Sequence, residues 1–184
     1  MNQNMNIGLL RGTVNLEEHN PNWENIANKT IKELNVLLCD IFVNIQHVGS
    51  TSIKGILAKP IIDLVIGVDN FEDILNMNEK LETHGYLFRG QDHPGQYLYV
   101  CGKDDFITHH IHVVKYNSID WHNYLNFRDY LNANPDIAKQ YSLLKEKLAN
   151  LYPNERKLYT TNKSEFINDI LIKASFWKNK LQSF

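Results

Sequence analysis

The segment from Gln46 to Val68, QHVGSTSIKGILAKPIIDLVIGV, constrains this chain more than any other. An apolar run, Ile41 to Val48, ends in the small-residue turn Gly49-Ser50-Thr51-Ser52, a short stretch crosses back, and a second apolar run, Ile61 to Val68, follows. Both runs read as strands, and the second is apolar on both faces, the pattern of a central strand covered on each side. Asp63 interrupts it. An ionised carboxylate without a partner in an apolar setting costs several kcal/mol, so Asp63 must meet a cation, a cluster of donors or water in a cleft. Alternation along the strand puts Ile61, Asp63 and Val65 on one face.

Around these strands the chain falls into a mixed order. Val14 to Leu16 reads as a short strand, and Asn22 can cap a helix whose apolar positions Ile26, Ile31, Leu34, Leu37 and Leu38 recur at helical spacing. Phe71 to His84 reads as a helix stopped at Gly85. Tyr86 to Arg89, Gln96 to Val100 and Phe106 to Lys115 read as strands, separated by the loop Gly90 to Gly95 and the turn Gly102-Lys103-Asp104-Asp105. Beyond them the chain is helical: Ser118 caps one helix, Asn134 with Pro135 opens a second, and Asn162 with Glu165 a third. The expected fold is α+β, a mixed β-sheet with helices and a helical C-terminal third. A tail, residues 1–13, precedes a single domain over 14–184, with the sheet core at about 14–116 and the helical part at 117–184.

The 184 residues suffice for one domain with its own core. A net charge of -2 argues against a nucleic-acid grip based on bulk charge. No apolar run approaches the roughly 18 residues a membrane span needs, and Met1 to Asn6 is polar rather than a signal peptide, so a cytoplasmic protein is expected. Cys39 and Cys101 are far apart and lack metal-ligand spacing, so they read as reduced core thiols.

Several side chains have chemical potential. A short helix beginning near Ser52 would turn its N–H groups and the Ser50 and Thr51 hydroxyls outward as an anion site, the alternative being a plain capped turn. Lys54 precedes Gly55, which makes the segment a poor P-loop. His110 and His112, two apart, share one strand face, while Ile111 and Val113 take the other. Arg128 interrupts the helical stripe Trp121, Tyr124, Leu125, Leu131, and its acid partner is Asp129, Asp63 or a ligand phosphate. Lys145 lies beside the seam Ile137, Tyr141, Leu144, Leu148, and Lys163 falls in the first turn of the last helix, where the dipole disfavours a cation unless an anion binds. Lys59, held extended before Pro60, points toward the same cleft.

Gly49-Ser50-Thr51 followed by an aspartate on the next strand resembles the opening of the nucleotidyltransferase superfamily, in which a Gly-Ser turn holds a triphosphate and a strand Asp-x-Asp holds divalent metals. Within it, the string HVGSTSIKGILAKPIIDLVIGV is similar to the GrpB family, whose members are small cytosolic proteins or appendages of dephospho-CoA kinase. His110-Ile111-His112-Val113, Phe127-Arg128-Asp129-Tyr130-Leu131, the step from Tyr141 to Lys145, and Lys163 fit the same pattern, over roughly residues 14–180. The resemblance implies a cleft between sheet and C-terminal helices. There Gly49, Ser50 and Thr51 would bind phosphate, Asp63 and His112 would be catalytic, and Lys59, Arg128, Lys145 and Lys163 would close over a small phosphate-bearing molecule. An active nucleotidyltransferase places a second carboxylate where Val65 stands. A later strand supplies the superfamily's third acid, so His110 and His112 would stand near Asp63. Asp63, His110 and His112 are then the expected ligands of a divalent metal, Mg, Mn or Zn, although each ring can equally hydrogen-bond or act as a general base. The implied reaction is metal-dependent nucleotidyl or phosphoryl transfer, and the alternative is a non-catalytic module for a nucleotide or CoA-like ligand. Three positions depart from the family pattern: Lys54 replaces Pro, and Gln96 and Asn132 replace Arg, which weakens a polyanion pocket.

Overall fold

The computed structural model describes residues 7–182. Among them six strands, β1 (Leu9–Leu10), β2 (Val43–Val48), β3 (Ile62–Val68), β4 (Leu87–His93), β5 (Gln96–Lys103) and β6 (Phe106–Lys115), form one sheet in the order β2-β3-β6-β5-β4, with β1 paired on β6. Only β3 and β6 are parallel, with Asp63 level with His110 and Val65 level with His112. The helices are α1 (Asn22–Leu37), α2 (Phe71–Leu75), α3 (Asn78–Thr83), α4 (Ile119–Ala133), α5 (Pro135–Leu151), α6 (Arg156–Thr161) and α7 (Ser164–Gln182). This is the expected α+β architecture with a helical C-terminal third.

Strand parity divides the sheet into a closed and an open face. On the closed face Ile62, Leu64, Ile66 and Val68 join Ile111 and Val113 against Trp23, Ala27 and Leu34 of α1, Ile74 of α2 and Leu81 of α3. Burying each such aliphatic side chain is worth roughly 1.5–3 kcal/mol, so this face carries most of the sheet's stability. The open face is only partly covered by the C-terminal helices. Val48, Val65 and Val114 pack under Trp121 of α4. A separate core, built from Ile53 and Ile56 of the crossing loop with Tyr130, Leu131, Tyr141, Ile170 and Ala174, ties that loop to α4, α5 and α7.

Several elements differ from the sequence reading. Residues 71–84 form two short helices, because the chain turns at Asn76 and Met77. Helix α1 is capped by Asn20, whose Oδ1 accepts from the Asn22 N–H at 2.9 Å. Asn134 donates to the Tyr130 carbonyl at 2.8 Å instead of capping α5. Val14 to Leu16 is not a strand; a lone bridge joins Glu17 to Ala58 nearby. Within the span read as a tail, β1 pairs Leu9 with Ile107, and the Gly8 N–H donates to the Pro60 carbonyl. Cys39 is exposed just beyond α1, whereas Cys101 is half-buried, its thiol pushed up to about 12 by burial.

Candidate functional site

The turn after β2 is shaped around the Asp63 carboxylate. Gly49 has φ +68°, a conformation that side chains resist, and a Cβ there would collide with Asp63 Oδ2. Ser50–Ser52 make a single 3₁₀ turn in which the Ser52 and Ile53 N–H groups are spent on the Gly49 and Ser50 carbonyls. Ser50 hydrogen-bonds the buried Tyr141 phenol. Thr51 turns inward: it is 2% exposed and its hydroxyl meets His47 Nε2 at 2.9 Å. Gly49 and Ser50 therefore face the cleft, and Thr51 does not.

Beside the turn, His110 Nδ1 lies 3.1 Å from Asp63 Oδ1, and His112 Nε2 lies 3.9 Å from the same oxygen. Their neighbours assign the protons. Arg156 can only donate, and it reaches His110 Nε2 at 3.1 Å, so that nitrogen accepts and Nδ1–H points at Asp63. The Gln96 amide is oriented by Asp92, whose oxygens accept from Nε2 at 3.1 and 3.2 Å, and by the Tyr124 hydroxyl, which donates to Oε1 at 2.8 Å. Gln96 Nε2 also lies 3.3 Å from His112 Nδ1, which accepts, leaving Nε2–H toward Asp63. Burial alone would raise the Asp63 carboxyl, but the His110 hydrogen bond and the nearby His112 ring hold it well below the usual carboxylate range. Burial likewise holds His110 below the ordinary imidazole value, against the pull of Asp63.

A metal ion requires lone pairs, and both rings offer Asp63 an N–H. The position for a second acid is Val65, fully buried under Trp121. Among the described residues no three His, Cys, Asp or Glu side chains are grouped to hold an ion. As arranged, Asp63, His110 and His112 do not fit the divalent-metal centre expected for them; both rings turn an N–H toward one carboxylate, His110 within hydrogen-bond reach and His112 farther off.

The cleft is a cavity of about 500 Å³ between the sheet and α4–α7. Lys59, Lys163 and Arg156 enter it from the crossing loop, the α6–α7 junction and α6. The ammonium groups of Lys59 and Lys163 stand 5.9 and 4.5 Å from the centre of the Tyr159 ring. Burial and the neighbouring cations lower Lys59 to about 7; burial, with Arg156 adding to it and Asp63 opposing, lowers Lys163 to about 8. Lys163 sits just before α7, where its carbonyl accepts the Ile167 N–H. Besides Thr51, two expected ligand residues, both cations, stand outside the cavity. Arg128 donates to Asp129 Oδ1 at 2.8 Å and to the His47 carbonyl at 3.0 Å, tying α4 to the end of β2. Lys145, 1% exposed, donates to the Leu57 carbonyl and lies 4.6 Å from the Tyr141 ring centre.

Sequence reasoning missed Arg156, Tyr159 and Tyr124 as cavity residues, and Gln96 as the group that orients His112. The break at Pro153-Asn154 followed by Arg156 was the available signal for α6, and parity with Leu98 and Val100 places Gln96 on the face of His110. Asn132 joins α4 to the crossing loop, accepting the Lys54 N–H and donating to the Ser52 carbonyl, both at 3.0 Å.

The family described as GrpB protein matches residues 13–173. The glutamate-rich protein GrpB of Alkalihalophilus pseudofirmus is 38% identical over 90% of this chain and 98% of its own. YqkA of Bacillus subtilis is 32% identical over 87% of this chain, which spans only 47% of that protein. The crystal structure of conserved protein GrpB from Enterococcus faecalis is similar with a TM-score of 0.81 and 30% identity, covering 89% of this chain and 99% of that one. The Cid1 poly(U) polymerase, in a MgGTP-bound structure, aligns with a TM-score of 0.53 over 72% of this chain and 44% of its own; at 16% identity this likeness concerns the fold alone. With the family match spanning residues 13–173 and a GrpB relative 38% identical over 90% of the chain, this chain, whose fold is nucleotidyltransferase-like, belongs to the GrpB family.

Proposed function

We propose that the protein binds a small phosphate-bearing molecule, with nucleotides the leading class, in the cavity over Asp63. The observation that carries this reading is the convergence of Lys59, Lys163 and Arg156, from three segments, in one cavity, with the two lysines over the Tyr159 ring. Among the described residues none of the three forms an ion pair with a carboxylate. Burial and Arg156 depress both lysines, and Lys163 adds to the effect on Lys59; this local cost would be offset by a bound phosphate through charge-assisted hydrogen bonds. The MgGTP held by Cid1 belongs to that protein, and it supports nucleotides as the leading class.

If the site also catalyses transfer, the chain's own residues suggest the steps. Asp63 orients His110 through Nδ1–H, and Nε2 carries a lone pair now covered by Arg156. Were Arg156 to turn toward a phosphate, that nitrogen could take the proton of an attacking hydroxyl as the hydroxyl oxygen bonds to phosphorus and the P–O bond to the departing group breaks, its electron pair staying on the departing oxygen. Lys59 and Lys163 would stabilise the departing group. A non-catalytic binding module is the second reading, favoured by apolar Val65 in the second acid's place.

Thermal unfolding with nucleoside mono-, di- and triphosphates and CoA compounds, each alone and with Mg, Mn or Zn, tests the proposal, since a ligand that binds only the folded state raises Tm. Phosphorylated compounds should raise Tm without added metal, and the parent nucleosides should not. Stabilisation that depends on metal would contradict the hydrogen-bonded donor set, and no response to any phosphate would reject the binding function.

A further inference from the structure

A second recess, of about 670 Å³, opens on the far side of Arg156, lined by Arg11, Arg89, Lys157 and Asp104 over Val100 and Ile107. Arg156, His110 and Thr160 belong to both cavities, so the two spaces share a wall of side chains. Four cations face one carboxylate in this recess, and among the described residues none of the four is in an ion pair. Among the described residues Arg156 hydrogen-bonds the His110 ring and forms no ion pair; burial lowers it, with Asp63 opposing and Arg11 adding as a like charge. An arginine between two basic spaces has donors enough for an anion on each side, because the guanidinium fork carries five N–H groups.

We propose that this recess is a second anion subsite. The ligand is an elongated small molecule with phosphate groups at two places, one among Lys59 and Lys163, the other among Arg11, Arg89 and Lys157, with Arg156 between them. The proposal rests on the phosphate-binding reading of the first cavity and extends it to a ligand class. Val100 and Ile107 would lie under the segment joining the two groups.

The test compares inorganic tripolyphosphate with orthophosphate by calorimetric titration at about 0.15 M salt, where distant exposed charges are screened. Arg11 and Arg89 are both exposed and away from the core, so R11A/R89A leaves the core intact. Wild type should bind tripolyphosphate at least about tenfold more tightly than orthophosphate. R11A/R89A should remove about tenfold of the tripolyphosphate affinity, the scale of one lost charge-assisted contact, and change orthophosphate affinity less than about threefold. Arg89→Gln alone should give a smaller loss in the same direction. Equal losses for both probes, or none for tripolyphosphate, would overturn the second subsite. Lys163→Ala separates the two readings: orthophosphate binding insensitive to Lys163 rejects the first cavity, whereas binding that needs Lys163 but gains nothing from Arg11 and Arg89 rejects only the second.

Discussion

His109 and His110 are neighbours in β6 with opposite fates. His109 faces the closed side, where Nε2 meets the Thr30 hydroxyl at 3.1 Å and Nδ1 the Thr108 hydroxyl at 2.9 Å, and burial pushes it down to about 4. His110 faces the open side, between the Asp63 carboxylate and the Arg156 guanidinium, at the wall of two cavities. The pleat alone separates a structural imidazole from one placed for chemistry. A histidine count in a sequence says little until parity has assigned each ring to a face.

Putting an acid at Val65 is the harshest way to break this division. Val65→Asp buries a carboxylate among Val48, Val114 and Trp121, and should cost about 4 kcal/mol or more in urea unfolding. A variant that folds with little loss and binds Mn²⁺ would mean that the open face is a metal site after all. The histidine pair sharpens the contrast at smaller amplitude. His109→Ala opens a dry hole and orphans two hydroxyls, at about 3 kcal/mol. His110→Ala opens onto a cavity that water can fill, and should cost about 1 kcal/mol. In sulfate titrations His109→Ala should behave as wild type, while His110→Ala should bind at least about threefold more weakly, because Asp63 loses the N–H that offsets its charge beside the anion. Reversal of either order would dissolve the distinction between the faces. The smallest effect is expected at Arg128, which ties α4 to the His47 carbonyl: Arg128→Ala should lower stability by about 1–2 kcal/mol and leave sulfate affinity unchanged. A weakened sulfate response there would restore Arg128 as a ligand residue.

The open face was legible in the sequence because parity is a local rule. Asp63 stands alone in an apolar strand, and His110 and His112 are two apart, so their common face followed from spacing once β3 and β6 were neighbours. The cations were harder to place. Arg128, Lys145 and Lys163 each sit at an uncomfortable helix position, which signals a partner without naming it. Arg128 found a backbone carbonyl and Asp129, Lys145 the Leu57 carbonyl, and only Lys163 faces the cavity. Backbone acceptors leave no trace in composition or periodicity. Arg156 lies on α6, six residues long, too short for its apolar pattern to declare itself.

The central claim is that Lys59 and Lys163 hold an anion, and pH tests it most directly. Both groups are lowered from 10.5, to about 7 and about 8, so the folded protein binds fewer protons than the unfolded chain. Unliganded stability should therefore rise as pH increases from about 7–8 toward 10.5, and be lost as pH falls over the same window, levelling off below about 7. An anion that requires the cationic forms acts in the opposite sense. Sulfate is the suitable probe because its charge is constant over this range. The Tm increase produced by sulfate should be large at about pH 6, mostly lost at about pH 9, and reduced at pH 6 in Lys163→Ala. An equal sulfate shift at both pH values, or one that survives Lys163→Ala, would contradict the account.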